Sequence, residues 1–220
     1  VKVVLFGATG MIGQGVLREC LLDPDVDAVL SIGRSATSQT HTKLREVVLP
    51  DLFNCASIEA DLRGYDACFF CLGGSSAGMS EANYRRVTYD LTLSIAHILV
   101  RESPTMTFIF VSGASTDGTG AGRIMWARVK GQTENALMQL PFKAAVMFRP
   151  GAIVPLHGIT SRTPLYRTLY ALTRPFWPIL RASFPRHITT TEELGRAMLM
   201  VAKRGAPKAV LESVDITALR

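Results

Sequence analysis

The opening apolar run VKVVLF passes directly into Gly7-Ala8-Thr9-Gly10-Met11-Ile12-Gly13, and a helical stretch from about Met11 to Leu22 follows. No other feature limits the fold as strongly. Main-chain amides at a helix start can grip a pyrophosphate. Glycine is then needed wherever a side chain would block the turn, the approaching phosphate or the packing of helix on strand. Gly7, Gly10 and Gly13 meet those three needs, and their place between a first strand and a first helix gives the cluster its meaning.

The rest of the chain keeps the same rhythm. AVLSI, EVVL, DACFFCL, TFIFVS and AAVMF are short strand-like runs, separated by helical stretches that include a long one after Ser80 and another around Ile124 to Leu140. Strand and helix in alternation imply a parallel sheet with right-handed crossovers, an α/β doubly wound Rossmann fold. With 48% apolar and 19% charged residues the chain is no disordered polymer, and 220 residues suffice for one buried core. One domain over residues 1–220 is expected, with 156–190 as a small C-terminal cap or lid. Beyond it, Thr190 and Glu193 form a capping box for a helix that ends at Lys203, Arg204 and Gly205.

The second strand should end beside an adenosine ribose. A carboxylate there favours NAD, whereas a cation pairs with the 2′-phosphate of NADP. Here AVLSIG runs into Arg34 and Ser35 with no acid near, so NADP(H) is favoured over NAD(H). The net charge of +6 is uneven, with no Asp or Glu from Ala136 to Thr191, which suits an anionic cofactor or substrate. Cys68 and Cys71 make a C-x-x-C, yet they lie inside an apolar strand and no second pair or nearby His completes a zinc site. Packing is their expected role, as for Cys20 and Cys55, and no metal is expected.

GATGMIG, the GR ending the second strand, DACFFCLG, VKGQTENAL and RPGAIVP together resemble the short-chain dehydrogenase/reductase superfamily. More closely they resemble its atypical branch of Tat-interacting-protein-like oxidoreductases and epimerase-like NAD(P)-binding proteins. The likeness covers about the first 155 residues and the helix from Thr191. It implies that Gly7, Ala8, Thr9, Gly10, Met11, Ile12 and Gly13 hold the pyrophosphate and that Arg34 and Ser35 hold the 2′-phosphate. It further implies that Asp51 and Leu52 border the adenine, that Cys71, Leu72 and Gly73 pass under the nicotinamide ribose, and that Pro150 and Gly151 meet the carboxamide.

Catalysis in that superfamily resembles a serine with Tyr-x-x-x-Lys, in which the tyrosine hands over a proton and the lysine lowers its pKa while holding the ribose. The matching segment here reads Trp126-Ala127-Arg128-Val129-Lys130. Lys130 is kept; Trp126 stands at the tyrosine position, and an indole N–H does not titrate usefully. Ser112 and Ser115 both follow the fifth strand as candidates for the serine. Tyr84, Tyr89, Tyr166 and Tyr170 are possible replacement donors. His97 reads as a core residue on an apolar helix face, while His41, His157 and His187 read as loop residues with no neighbouring carboxylate.

The segment 164–186 carries arginines among aromatics and prolines. Pro175 and Pro178 break any long helix, so a substrate lid or a homodimer surface is favoured over membrane contact, and without a recognised motif no nucleic acid is expected. The first strand lacks the basic flank and cleavage site of a signal peptide, and no apolar run approaches the ~20 residues of a membrane span. The chain is therefore expected to be soluble and cytoplasmic. Two functions fit: an NADPH-dependent oxidoreductase or epimerase-like enzyme on a small carbonyl compound, or a non-catalytic NADP(H)-binding redox sensor.

Overall fold

The structure, a computed structural model, describes residues 1–160, 177, 184 and 186–219. Its seven-stranded sheet contains β1 (Lys2–Phe6), β2 (Ala28–Gly33), β3 (Leu44–Val48), β4 (Ala67–Phe70), β5 (Thr107–Val111), β6 (Ala144–Arg149) and β9 (Val210–Glu212). They lie in the order β3-β2-β1-β4-β5-β6-β9, every pair parallel. This is the doubly wound Rossmann arrangement, and its order reverses between β1 and β4, where such sheets open a crevice at their carboxyl ends.

Covered on both faces, the central strands are almost continuously apolar, yet their side chains still alternate. Val3, Leu5, Phe69, Ile109, Val111 and Phe148 face one core layer with α1 (Met11–Leu22) and α5 (Thr191–Arg204). Val4, Phe6, Cys68, Phe70, Phe108 and Phe110 face the other, with α3 (Leu91–Glu102) and the 3-10 segment Leu52–Leu62. In that second layer Phe70 meets Phe6 at 5.5 Å, Phe108 at 5.7 Å and Phe110 at 6.0 Å between ring centroids, spacings at which aromatic pairs attract beyond simple burial.

The long helix after Ser80 has an interruption that periodicity did not foretell. α2 (Glu81–Arg85) widens into a π turn over Arg86–Asp90 before α3 continues. The capping box holds, with the Thr190 hydroxyl accepting from the Glu193 amide at 3.0 Å and Gly205 closing α5 at φ 83°. The C-terminal quarter is more than a cap, however: β9 is an edge strand of the main sheet, and β7 (Ala152–Val154) pairs with β8 (Ile188–Thr190) in a second small parallel sheet. Both were missed because three-residue strands are too short to show a period. The short helix α6 (Ser213–Ala218) follows β9. Of the segment expected to form a lid, residues 161–176, 178–183 and 185, with Tyr166, Tyr170, Pro175 and Pro178, lie outside the described residues.

α1 and α5 cross with little between them. A Cβ on Gly15 would stand 2.6 Å from the Thr191 Cβ, and one on Gly195 2.9 Å from the Glu19 side chain. Buried Glu19 is held there by Arg18 and by Arg196, the latter at 3.0 Å.

Candidate functional site

The glycine turn is built as the spacing demands. Gly7 sits at φ 84°, where L side chains are strained, and a Cβ on it would lie 2.8 Å from the Cys71 carbonyl. A Cβ on Gly13 would stand 2.0 Å from the Gly7 oxygen, so the helix can approach the turn only with glycine there. Gly10 donates to the Gly7 carbonyl at 2.9 Å and accepts from Gln14 at 2.8 Å, which starts the helical ladder. The amides of Met11, Ile12 and Gly13 precede that first bond, and neither a side-chain cap nor an acidic residue in the first turn of α1 competes for them. Ala8 is buried in the turn, and the Thr9 carbonyl accepts from the Gln14 side chain at 3.2 Å. An uncapped helix start behind a turn closed to Cβ atoms fits a diphosphate.

At the end of β2, Arg34 is exposed and has no ion-pair partner among the described residues, and Ser35 is exposed beside it. The segment after β3 is tied to this point, since the Leu49 amide donates to the Gly33 carbonyl at 2.9 Å. Asp51 then caps the 3-10 segment by accepting from the Phe53 amide at 3.0 Å, while Leu52 is buried beneath. Cys71, whose amide donates to the Phe6 carbonyl at 2.9 Å, continues with Leu72 and Gly73 along the end of β4 against Gly7. The four cysteines are free thiols, and burial pushes the Cys20, Cys55, Cys68 and Cys71 sulfhydryls up in pKa, that of Cys55 to about 11.

The end of β5 separates the two serines. Ser112 is buried, its hydroxyl 3.0 Å from that of Thr116, and its carbonyl accepts from Lys130 Nζ at 3.1 Å. Ser115 is exposed in the following turn at φ 67°. Lys130, on α4 (Met125–Met138), also reaches the Val111 carbonyl at 3.4 Å and lies 5.6 Å above the Phe110 ring. Burial lowers its pKa from 10.5 to about 8, partly offset by the Glu134 carboxylate one turn on. Trp126 is half-buried one turn before it. The loop between β5 and α4 is knotted by Asp117, whose carboxylate accepts from the Thr119 amide and hydroxyl and from the Gly122 amide at 2.6 Å. α4 presses against that loop so closely that a Cβ on Gly131 would stand 1.7 Å from the Asp117 carbonyl oxygen.

Pro150 and Gly151 leave β6 at the same edge. The Pro150 carbonyl accepts from the Ala114 amide at 2.9 Å, and a Cβ on Gly151 would meet the His187 carbonyl at 2.4 Å. Just before them Arg149 bridges fully buried Glu134, at 2.5 Å, and Glu212, at 2.9 Å. Thr116, Asp117 and this ion-pair triad went unnoticed in the sequence. Only the G of VKGQ carried a signal, because glycine inside a helical run suggests a close approach.

Two histidine readings need correction. His97 is exposed, on the outer side of α3, because the apolar face of that helix passes through its neighbours Ala96 and Ile98. His157 does have a carboxylate neighbour: its Nε2 lies 2.6 Å from Glu192, a residue 35 positions away in sequence. Tyr84 is buried with its pKa raised by burial, and Tyr89 is half-buried beneath the Arg85 guanidinium at 4.1 Å. Among the described residues no three His, Cys, Asp or Glu side chains gather as a metal site, and no helix is long and apolar enough to cross a membrane.

No family model matches the chain. It is 32% identical over 160 residues to fmp52-1 of Aspergillus terreus, a match covering 69% of this chain and 66% of that protein. It is 29% identical over 159 residues to fmp52 of Emericella nidulans, again just under two thirds of the relative at 66%. To FMP52 of Chaetomium globosum it is 26% identical over 98% of this chain and 95% of that one. All three proteins are named mitochondrial, which overturns the cytoplasmic expectation: a strand-like start without a secretory signal does not test for mitochondrial location. Among solved structures, a short-chain dehydrogenase/reductase of Saccharomyces cerevisiae superposes with TM-score 0.68 at 15% identity, over 99% of this chain and 97% of that one. The WbmF enzyme of Bordetella bronchiseptica, solved with NAD+, does so with TM-score 0.68 at 14% identity, over 99% and 76%. The chain thus has the Rossmann fold of the short-chain dehydrogenase/reductases and is similar in sequence to the fungal fmp52 proteins.

Proposed function

We propose that the chain binds NADP(H) in preference to NAD(H) and acts as an oxidoreductase on a small carbonyl compound. The observation that carries the reading is the uncapped start of α1 behind Gly7 and Gly13, with exposed Arg34, which has no ion-pair partner among the described residues, at the end of the neighbouring strand. When bound, the dinucleotide would supply hydride chemistry; the chain's residues would bind and orient. Amides from Ala8 to Gly13 would hold the diphosphate, and Arg34 with Ser35 the 2′-phosphate. Asp51 and Leu52 would border the adenine, while Cys71 to Gly73 with Pro150 and Gly151 would line the nicotinamide end.

Thr116 gives its hydroxyl hydrogen to the Gly113 carbonyl at 2.8 Å, so Ser112, 3.0 Å away, is the hydroxyl that could turn to donate to a substrate carbonyl oxygen. Trp126 shapes the pocket without moving a proton. Lys130, titrating at about 8, is the group beside that pair able to hold or release a proton at Nζ near neutral pH. The tryptophan also favours a second reading, a non-catalytic redox sensor that keeps the binding elements. In either case the described residues would act as one domain, able to form a homodimer, in mitochondria as the fungal relatives are named.

Calorimetry with NADPH and NADH tests the cofactor. Arg34→Ala should weaken NADPH by about 1 to 3 kcal/mol, the worth of a charge-assisted contact, and leave NADH alone. Equal losses, or no heat with either dinucleotide in the wild type, would refute the assignment. Consumption of NADPH with an aldehyde, ketone or quinone would decide for the enzyme, and tight binding without turnover for the sensor.

A further inference from the structure

Phe53 and Arg86 belong to no cofactor motif, yet they meet beside the adenosine end of the site. Phe53 directly follows Asp51 and Leu52, and its amide is pinned by the Asp51 carboxylate at 3.0 Å. The same segment is hydrogen-bonded to the end of β2, where Arg34 stands. Arg86 comes from another element, as the first residue of the π turn, and its guanidinium carbon lies 4.5 Å from the Phe53 ring centroid. π turns insert an extra residue into a helix and recur at functional sites.

Other arginines on this flank are neutralised. Arg85 pairs with Gln132 at 2.7 Å and Asp90 at 3.9 Å, Arg101 with Glu59 at 2.6 Å, and Arg63 with Glu102 at 2.5 Å. Arg86 is exposed and has no carboxylate partner among the described residues. One face of its guanidinium covers Phe53, which leaves the second face open. A flat, delocalised, weakly hydrated cation stacks well on an aromatic ring. The edge of a guanidinium, by contrast, is what seeks a phosphate or carboxylate.

We propose that Arg86, backed by Phe53, is the wall on which the adenine ring stacks. The proposal rests on the nucleotide-binding reading above and adds a residue that recognises the base rather than the phosphates. Arg34 and Arg86 then divide the work: the first distinguishes NADP from NAD, and the second serves both alike.

The test is binding of NADPH, NADH and AMP to the full chain by calorimetry, for the wild type, Arg86→Leu, Arg86→Lys and Arg34→Ala, with thermal melting to confirm that each variant is folded. Leucine keeps Phe53 covered but cannot stack as a planar cation, so Arg86→Leu should weaken all three ligands by a similar factor, about tenfold from the typical worth of one base stack. Arg86→Lys keeps the charge without the plane and should fail to restore affinity, whereas Arg34→Ala should affect NADPH alone. NADH and AMP bound by Arg86→Leu as tightly as by the wild type would overturn the stacking role. A loss confined to NADPH would do so too, by moving Arg86 to the 2′-phosphate. If the wild type binds none of the three ligands, the nucleotide-binding reading itself fails, an outcome distinct from normal wild-type binding with an indifferent Arg86.

Discussion

Replacing Lys130 by methionine should remove a rise in stability that the wild-type chain shows between about pH 8 and pH 10.5. Burial holds the ammonium at about 8 against an ordinary 10.5, and at about 1.4 kcal/mol per pH unit the difference amounts to about 3 kcal/mol. Below pH 8 the folded and the unfolded chain both carry the charge, so folding bears the full cost of keeping an ammonium over Phe110, where two carbonyls among the described residues receive it. Above that the folded chain releases its proton first, while the unfolded chain keeps its own until about 10.5. The unfolded state then binds more protons, and stability rises with pH across the interval. Solvent reaching the half-buried side chain reduces the expected change to between about 1 and 3 kcal/mol. Methionine fills similar volume without a proton, so its stability relative to the wild type should decline over the same interval. Urea unfolding of both proteins at steps from pH 7 to 10 gives that difference, since the tyrosines and cysteines titrating there are common to both. A difference that stays constant from pH 7 to 10 would refute the placement of a strained ammonium at the end of β5.

Three shorter predictions accompany it. Gly13→Ala sets a Cβ 2.0 Å from the Gly7 carbonyl, a backbone clash that no rotamer relieves, so both the melting temperature and dinucleotide binding should fall; unchanged calorimetry would contradict the turn. Arg149→Met strands the buried Glu134 carboxylate and should cost about 3 to 5 kcal/mol in urea unfolding, whereas the double change with Glu134→Leu should recover most of it. Trp126→Tyr should raise NADPH-dependent carbonyl reduction, read as loss of cofactor absorbance, if the pocket is otherwise intact.

The parts legible in the sequence were those whose physical demand is local. Gly7 and Gly13 declare themselves because a positive φ and close backbone approaches tolerate no side chain there, with Gly10 only tight between them, and β1, β4 and β5 because strands buried on both faces are largely apolar. Thr190 with Glu193 could be read for the same reason, a cap being a contract between residues three apart. What stayed hidden depends on distance in space. The partner of His157 is Glu192, Arg149 answers to residues 15 and 63 positions away, and Phe53 meets an arginine from another element, none of which leaves a period or a motif. β9 was hidden by its length: three residues carry no alternation, and only the register against β6 makes a strand of them.

The bracing of α1 by α5 sets an order on how the molecule comes into being. β1 and α1 leave the ribosome before α5, but the surface that Gly15 and Glu19 rest on is supplied by Thr191, Gly195 and Arg196, with Arg196 following Glu19 by 177 residues. At ordinary elongation rates that is a wait on the order of ten seconds or more. Throughout it, the nascent helix has its apolar flank bare and its Glu19 carboxylate without the second guanidinium. The βα unit that would meet a nucleotide is thus completed only when α5 has followed it out of the ribosome.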